Sequence, residues 1–491
     1  MSTKQITALG IIFLYMIVTI VLGLTVSKMK AAKAGKQSNE DFLMASKSLG
    51  PVVLAGTLFA ANTGGASTTG IATNVYTYGL SACWYVIAAG IGFVLVSFIA
   101  PYFRKAQAST VPQIIEKRYG KASHIFTAFT SIAALFMATG AQIIATASII
   151  NVVTGLDFNI AAVVITIVVI IYTMVGGFQS VAAANLMHVL FITVGMAVAM
   201  VVIVTGNDVG GFGALFDRAA AMTDANGASL DLLSMTKIGA TTIIGYIAMY
   251  VMTFPTGQEI VQTYCSAKDG KSAKLGSLIA GILSAVYAIV PAIIGLVAYT
   301  CIDGYATGAQ KNALADATMQ FAPAVVAGIV LAAVVAATMS SASGNMIGTA
   351  TMFTNDVFRP YINKGQADDK KEIWISRVIM VIVGAVGLFV ALTASNIISV
   401  MMGAFALRSA GPFAAFICGL FYKNVTQRAG FISIVTGTIV AAIWIYGLGT
   451  PWDLSAMVPG GIVAFVVIFV GSALDRKAGV EPAPPIEFEE D

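Results

Sequence analysis

The chain has 491 residues, of which 58% are hydrophobic and only 10% are charged, and its mean hydropathy is +0.88. A water-soluble domain of this length would carry far more charge, so the composition excludes one. The formal net charge of +4 is small and gives no sign of a nucleic-acid-binding surface. The composition therefore predicts a polytopic membrane protein.

Apolar runs long enough to cross about 30 Å of hydrocarbon as helices recur along the whole chain. They lie near residues 7–27, 52–74, 79–102, 124–152, 158–176, 185–205, 238–264, 275–301, 320–353, 374–394, 398–422, 429–448 and 457–474. The fold class expected is an all-α membrane protein with about thirteen transmembrane helices.

Positive charge is concentrated in every second connection between these segments. The basic connections contain Lys28 to Lys47, Arg104 to Lys121, Lys268 to Lys274, Arg359 to Lys371 and Lys423 to Arg428. The alternate connections hold little beyond Arg218 and Lys311. The positive-inside rule then puts the N-terminus outside and the C-terminus in the cytoplasm of a cell whose plasma membrane the protein spans. The Pro-rich and acidic tail from Val480 onward is expected to be disordered.

Two of the apolar segments carry a break in their helical pattern. The second segment contains a run rich in glycine and hydroxyl groups from Ala60 to Gly70, and the seventh contains Pro255 followed by Gly257. Backbone groups freed at this depth need protein, water or a bound solute as partners. Two breaks in corresponding places predict a secondary transporter built from inverted repeats.

This pairing divides the chain into two five-helix repeats with flanking helices. The predicted parts are a leading helix and cytoplasmic loop (1–51), the first repeat (52–206), an extracellular loop (207–236), the second repeat (237–422), two trailing helices (423–474) and a cytoplasmic tail (475–491).

A cluster of hydroxyl groups lies within the ninth apolar segment, from Ala337 to Asn345. In an α-helix the carbonyl of Ala337 shares a face with the side chains of Ser340 and Ser341. These neutral oxygens are suited to a monovalent cation, and the break at residues 60–66 would complete the site. The other interpretation is that small residues allow close helix packing and that the serines bond back to their own helix.

Short motifs along most of the chain fit one known family. They are Asp41-Phe42-Leu43 with Ser48-Leu49-Gly50, Ala60-Ala61-Asn62, Pro101-Tyr102-Phe103-Arg104-Lys105 with Thr110-Val111-Pro112, Glu116-Lys117-Arg118-Tyr119-Gly120, Tyr172-Thr173-Met174-Val175-Gly176-Gly177, Gln258 with Gln262, Ser266-Ala267-Lys268, and the helix from Ala337 to Asp356. Together they resemble the sodium:solute symporter family of sodium/glucose and sodium/proline carriers. The resemblance implies a LeuT-type core.

The resemblance also implies the activity, which is sodium-coupled import of a small organic solute by alternating access, and no enzymatic function. It implies that sodium is held by the carbonyls of Ala60, Thr63 and Ala337 and by the hydroxyls of Ser340 and Ser341. Proton coupling, with Glu259 or His188 as the carrier, and a non-transporting membrane sensor on the same fold remain alternatives. The expected partners are the solute, sodium and the lipid membrane, without nucleic acid or an obligate protein partner.

Two departures from the family narrow these expectations. Many members have an aspartate where this chain has Asn185, so coupling through one sodium is expected. Sugar carriers place an acid in the third segment and a lysine in the eighth, but residues 79–102 contain no acid and residues 277–299 no lysine. A sugar is therefore not the expected solute.

Glu259 and Arg408 are the acid and the base that lie well inside apolar segments, where charged side chains are costly and often functional. They could form an ion pair that closes the cytoplasmic path. Alternatively, Arg408 could bind a solute carboxylate bidentately, helped by the N-terminal end of the helix that restarts near Gly257. The second interpretation favours an amino acid or a monocarboxylate. The predicted solute-binding residues are Asn62, Gly64, Ser67, Gly257, Gln258 and Arg408, and the predicted gate residues are Tyr85, Phe254 and Glu259.

Overall fold

The computed structural model describes residues 1–34, 47–106, 108, 110–224, 226–305, 312–394, 396–486 and 488, with side chains described outside 22–24, 26–34 and 175–183. The motif Asp41-Phe42-Leu43 and Lys311 lie outside the described residues.

The described residues are almost entirely helical, because a chain in hydrocarbon must satisfy its backbone hydrogen bonds within each segment. The α-helices are α1 (Thr3–Ala34), α2 (Pro51–Asn62), α3 (Ile71–Tyr78), α4 (Trp84–Val96), α5 (Ala100–Lys105), α6 (Val111–Thr154), α7 (Phe158–Leu190), α8 (Met196–Thr205), α9 (Gly211–Ala221), α10 (Ala240–Thr253), α11 (Gln258–Cys265), α12 (Gly270–Tyr287), α13 (Ile289–Cys301), α14 (Ala313–Phe321), α15 (Ala324–Met352), α16 (Asp369–Thr393), α17 (Ile397–Ser409), α18 (Pro412–Phe421), α19 (Gln427–Ala442) and α20 (Met457–Lys477).

Within the described ranges, nine helices are long and apolar enough to cross a membrane. A tenth span results if the pair α17 and α18, bent by 44°, counts as one. Three shorter apolar helices accompany them, namely Pro51–Asn62, Phe158–Met174 and Ala240–Thr253. The all-α membrane architecture is confirmed, and the number thirteen stays a prediction.

The predicted cytoplasmic connections come together at one end of the molecule. Arg104 Nε donates to the carbonyl of Ala267 at 2.9 Å, and Arg118 Nη2 donates to the carbonyl of Tyr422 at 3.0 Å. The backbone N–H of Leu49 donates to Ser266 O at 3.0 Å. Basic connections that alternate along the chain thus share one end, as the charge pattern requires, while the orientation of that end in the membrane stays a prediction.

The tail is not disordered throughout. The Ala483 N–H donates to Val425 O at 2.7 Å, and the Ala483 carbonyl accepts from Arg118 Nη1 at 2.7 Å. Ile486 is buried against the same end of the molecule. The expectation of disorder from Val480 onward is therefore wrong for residues 480–486, because backbone hydrogen bonds hold a segment whose composition shows no periodic pattern.

Both predicted breaks are present. Helix α2 ends at Asn62, and the chain passes through a single π-helical turn, Ala66–Gly70, into α3. Helix α10 ends at Thr253, and α11 begins at Gln258 after Pro255, which has no N–H to donate to a helix. Helix α15 runs without interruption past both breaks. This arrangement brings freed backbone groups and the hydroxyl cluster of α15 together.

Candidate functional site

A small cavity lies between the two helix breaks. The centre of a water molecule can occupy about 20 Å³ of it, which is room for about one water. Its walls are formed by Ala61, Asn62, Gly64, Ala66, Ser67, Tyr85, Ala138, Gln142, Phe254, Glu259, Ile260, Ser341, Asn345, Met401, Phe405 and Arg408. The cavity is nearly closed and too small for an organic solute. Side chains that contact each other across it, such as Arg408 and Glu259, would have to separate to admit one.

The first break frees backbone carbonyls beside the cavity. The Gly64 N–H donates to Asn62 O at 3.1 Å, and the Gly65 N–H donates to Gln142 Oε1 at 2.7 Å. These two N–H groups would have bonded to Ala60 O and Ala61 O in a continuous helix. The carbonyls of Ala60 and Ala61 are therefore available to other donors or to a cation.

Ser341 occupies the position opposite these freed carbonyls. Its hydroxyl oxygen lies 3.1 Å from both Ala60 O and Ala61 O. A hydroxyl has one proton to donate, so it cannot fully satisfy two carbonyl oxygens at once. A Cβ on Gly64 would lie 2.8 Å from Ser341 Oγ, which shows that only glycine permits this close approach. At this contact, a hydroxyl oxygen of α15 thus faces two carbonyl oxygens of α2.

The residues predicted to hold sodium offer neutral oxygens, and this contact joins two of them, Ala60 O and Ser341 Oγ. Ala60, Thr63, Ala337, Ser340 and Ser341 are all buried, and the Thr63 hydroxyl has no hydrogen-bond partner in the described part of the chain. Hard cations prefer oxygen ligands, and neutral oxygens suffice for a monovalent ion that must later leave. No group of three histidine, cysteine or acidic side chains that could hold a metal occurs among the described residues. The residues present therefore fit sodium.

Asn185 adds an amide oxygen to this region. Its Oδ1 accepts a short hydrogen bond from the Ser340 hydroxyl, and both side chains are buried. Asn185 thus touches the predicted sodium site through Ser340. Its neutral amide brings no charge there.

Glu259 and Arg408 form a bidentate ion pair across the cavity. Arg408 Nη1 donates to Glu259 Oε2 at 2.7 Å, and Nη2 donates to Oε1 at 2.6 Å. The exposed fractions of the two side chains are 2% for Arg408 and 10% for Glu259. A paired geometry of this kind is the arrangement that makes a buried charge tolerable, and removing one partner leaves the other uncompensated.

The second break supports this ion pair. Glu259 lies in the first turn of α11, where the N-terminal end of a helix stabilises negative charge. A Cβ on Gly257 would approach Arg408 Nη2 to 2.7 Å, so the absence of a side chain there makes room for the guanidinium. Ser409 Oγ lies 2.8 Å from the Thr256 hydroxyl and thereby ties α17 to the break.

Aromatic side chains close one wall of the cavity. Phe254 stacks on Phe93 with ring centroids 4.0 Å apart, and Tyr85 contacts Tyr250 edge to face at 5.5 Å. Tyr85 and Phe254 line the cavity as predicted for gate residues. Both are also packed within an aromatic cluster, so their role as gates stays a prediction.

The structure places most of the predicted solute-binding residues together, with two exceptions. Asn62, Gly64, Ser67 and Arg408 line the cavity. Gln258 does not line it, because its side-chain carbonyl accepts a hydrogen bond from the Val111 N–H at 3.0 Å. Gly257 lies against the Arg408 guanidinium and is also absent from the lining.

Sequence reasoning missed several residues of the cavity. Gln142 lines it and also accepts the hydrogen bond from Gly65, and Asn345, Met401 and Phe405 complete the walls. A glutamine in the middle of an apolar segment was a usable signal, since polar side chains there need partners. Met401 and Phe405 could not be recognised from the sequence as residues of the cavity, because they are apolar residues among other apolar residues of α17.

Comparison with known proteins gives the family. A model of the sodium:solute symporter family matches residues 42–437, which is most of the chain. The chain belongs to the sodium:solute symporter family. This confirms the resemblance seen in the sequence. It also confirms sodium-coupled symport, with sodium as the coupling ion. Members of the family are secondary transporters and not enzymes, as expected.

Relatives within the sodium:solute symporter family are distant but match most of the chain. The sodium/glucose cotransporter of Vibrio parahaemolyticus is 26% identical over 461 residues, covering 86% of this chain and 82% of its own. The high-affinity proline transporter PutP of Bacillus subtilis is 26% identical over 454 residues, covering 89% of this chain and 93% of its own.

Solved structures show the same fold. A sodium-coupled sialic acid symporter in its substrate-bound outward-open state superposes with a TM-score of 0.80 at 18% identity, covering 98% of both chains. The nucleobase-cation symporter Mhp1 superposes with a TM-score of 0.54 at 14% identity, covering 89% of this chain and 95% of its own. The LeuT-type architecture expected from the sequence is confirmed.

The contact of Ser341 with the freed carbonyls predicts the effect of removing its hydroxyl. Ser341→Ala should raise the sodium concentration for half-maximal uptake about 5- to 30-fold, as for the loss of ~1–2 kcal/mol of ligand interaction. The measurement is solute uptake as a function of sodium concentration. Ser284→Ala is the matched control, since that buried hydroxyl bonds, within the described residues, to Ala280 O of its own helix. An equal shift in both variants would contradict a sodium ligand at Ser341.

The contact of Asn185 with Ser340 predicts that a charge at this position tightens sodium binding. Asn185→Asp should lower the half-maximal sodium concentration about fivefold or more, because a carboxylate a few ångströms from the ion contributes at least ~1 kcal/mol. Sodium titration of uptake measures this. Asn151→Asp, at the far end of α6, adds the same charge elsewhere. If Asn151→Asp has the same effect, the change is general and the site is not near Asn185.

Proposed function

We propose that this symporter imports a small anionic or zwitterionic organic solute, an amino acid or a monocarboxylate, by alternating access. The observation that carries the proposal is the bidentate pair between Arg408 and Glu259 inside the nearly closed cavity. The guanidinium of Arg408 binds the Glu259 carboxylate bidentately, so it has the geometry to bind a solute carboxylate in its place. The solute carboxylate would replace Glu259 on Arg408.

Two donors beside this pair support a solute with acceptor atoms. Arg408 Nε and Asn62 Nδ2 are buried and have no hydrogen-bond partner among the described residues. Buried donors are nearly always paired in folded proteins, and a bound ligand is one way to pair them. Glu259, once separated from Arg408, offers a negative charge for the ammonium group of a zwitterion.

We propose that sodium and solute are coupled through α2. Sodium would be held by the carbonyls of Ala60, Thr63 and Ala337 and the hydroxyls of Ser340 and Ser341. Asn62 follows directly in the same break, and its carbonyl accepts from the Ser67 hydroxyl at 2.9 Å. An ion that fixes this backbone lowers the cost of ordering the solute site, which gives positive coupling between the two ligands.

No specific observation favours the alternatives of proton coupling or a non-transporting sensor. Glu259 is engaged by Arg408, and His188 Nδ1 is hydrogen-bonded to the Tyr15 hydroxyl at 2.7 Å. Neither side chain stands as an obvious proton carrier between two aqueous paths. The family supports sodium as the coupling ion.

We further propose the topology and the partners. The basic connections that meet at one end support a cytoplasmic C-terminus, with the N-terminus outside and the protein in the plasma membrane. The solute and sodium are its small-molecule partners, and neither nucleic acid nor an obligate protein partner is needed for the proposed activity.

The experiment that tests the solute class is a thermal-shift screen of the purified protein. Amino acids, monocarboxylates, vitamins and sugars are each added in sodium and in potassium at equal ionic strength. A carboxylate-bearing ligand should raise the melting temperature in sodium and much less in potassium, because the ligand and sodium bind the folded state together. Stabilisation by neutral sugars alone would contradict the proposal.

The Arg408 contact predicts a large effect on solute affinity. Arg408→Gln should weaken binding of the carboxylate solute about 10- to 100-fold, as expected for losing ~1.5–3 kcal/mol of charge-assisted hydrogen bonding. Direct binding of the solute in saturating sodium measures this. Because the single substitution leaves Glu259 buried and unpaired, the double variant Arg408→Gln with Glu259→Gln is the control for folding. A folded double variant with the same affinity as Glu259→Gln alone would exclude Arg408 as the carboxylate ligand.

A further inference from the structure

A second cavity lies on the outer surface of the helix bundle, away from the proposed solute site. Its volume is about 580 Å³, within the range of pockets that bind small molecules. The surface is apolar and is formed by α6, by the π-helical extension of α15 (Phe353–Ile362) and by α16. We call it the lateral groove. Its lining includes Ile125, Phe129 and Phe136 of α6, Tyr361, and Ile379 and Ile382 of α16.

The lateral groove opens toward the hydrocarbon of the bilayer. The exposed fraction is 71% for Phe129, 52% for Ile125 and 45% for Ile382. All three belong to helices that are long and apolar enough to span a membrane. Large exposed apolar side chains at such positions face lipid, so acyl chains are the molecules available to fill the groove.

The length of the groove matches one leaflet. Ile125 and Phe136 are eleven positions apart on α6, which corresponds to about 16 Å along a helix. Half of a hydrocarbon core of about 30 Å is about 15 Å. An acyl chain from one leaflet can therefore lie along the whole groove.

A positive charge stands at the end of the groove. Lys121, Ile125 and Phe129 follow one another at i, i+4 and i+8, so they share a face of α6. Lys121 is exposed and makes no ion pair within the described residues. It lies about 6 Å beyond Ile125 along the helix axis, which is the level expected for a phospholipid headgroup.

Two exposed aromatic side chains lie at the groove or near it in the chain. Trp374 of α16 is 64% exposed and precedes Ile379 by five positions, and Tyr361 at the groove is 53% exposed. Tryptophan and tyrosine are enriched where hydrocarbon meets headgroups. In the proposed topology this is the cytoplasmic leaflet, which carries the anionic phospholipids.

The acidic residue of the groove does not repel a headgroup there. Asp356 lines the groove but is buried, and its Oδ1 accepts hydrogen bonds from Thr110 and Gln113, both at 2.9 Å. His124 Nε2 lies 3.3 Å from the same oxygen. The carboxylate is thus held on the protein side of the groove wall.

From these observations we infer that the lateral groove binds one phospholipid, with an acyl chain along α6 and α16 and an anionic headgroup at Lys121. The groove also borders the elements around the solute site. Asp356 bonds to Thr110, the next residue Val111 donates to Gln258, and Gln258 precedes Glu259. A lipid packed against this wall stabilises the folded protein at that end.

Native mass spectrometry of the purified full-length chain tests the inference, with phosphatidylglycerol and phosphatidylcholine of identical acyl chains as the probes. The wild type should bind phosphatidylglycerol about fivefold more tightly, as expected for one lysine near the headgroup. Lys121→Gln should abolish this preference without loss of folding, because Lys121 is an exposed side chain.

A second variant tests the acyl-chain site. Ile382→Trp fills the groove and should reduce the binding of both lipids, while Phe389→Trp, on the same helix but outside the groove and 67% exposed, should behave as wild type. Equal affinities of the wild type for the two lipids, a preference that survives Lys121→Gln, or equal effects of the two tryptophan variants would each overturn the inference. These readouts require no transport, so they are independent of the proposed solute.

Discussion

A charged side chain inside a bilayer is tolerated only with a partner, and this requirement governs the centre of the helix bundle. Arg408 and Glu259 satisfy it by a bidentate contact at 2.6 and 2.7 Å in a cavity with room for about one water. The break before α11 makes this possible, because it places Glu259 at a helix N-terminus and leaves space at Gly257 for the guanidinium. A solute carboxylate that took the place of Glu259 would keep the guanidinium paired, so the exchange leaves no uncompensated charge on Arg408.

The same principle explains the sodium region. The break after Asn62 removes the helical donors from the carbonyls of Ala60 and Ala61, and the hydroxyl of Ser341 supplies one proton for the two. Oxygens that are short of donors are a favourable environment for a cation. Oxygens short of donors at Ala60 and Ala61 thus lie beside an unpaired donor at Asn62, at the end of α2, and in the proposed function a cation and an anionic solute would satisfy them together.

The features that could be predicted from the sequence are those that are costly in hydrocarbon. Polar breaks, the serines at 340 and 341, and the charges of Glu259 and Arg408 stand out because an apolar segment tolerates them only with a partner. The direction of the Gln258 side chain could not be predicted, since it depends on the Val111 N–H of a distant helix. The docking of the tail at Ala483 could not be predicted either, because it relies on backbone hydrogen bonds that carry no signature in the side chains.

A decisive measurement is the affinity of the Glu259→Gln variant, in saturating sodium, for a monocarboxylate that has no ammonium group, compared with the wild type. If Glu259 competes with the solute for Arg408, neutralising it should tighten binding, because the guanidinium no longer has to leave an ionised partner. A Glu259→Gln variant that folds normally and binds the solute less tightly than the wild type would show that Glu259 does not act as the competitor, and the account would be wrong.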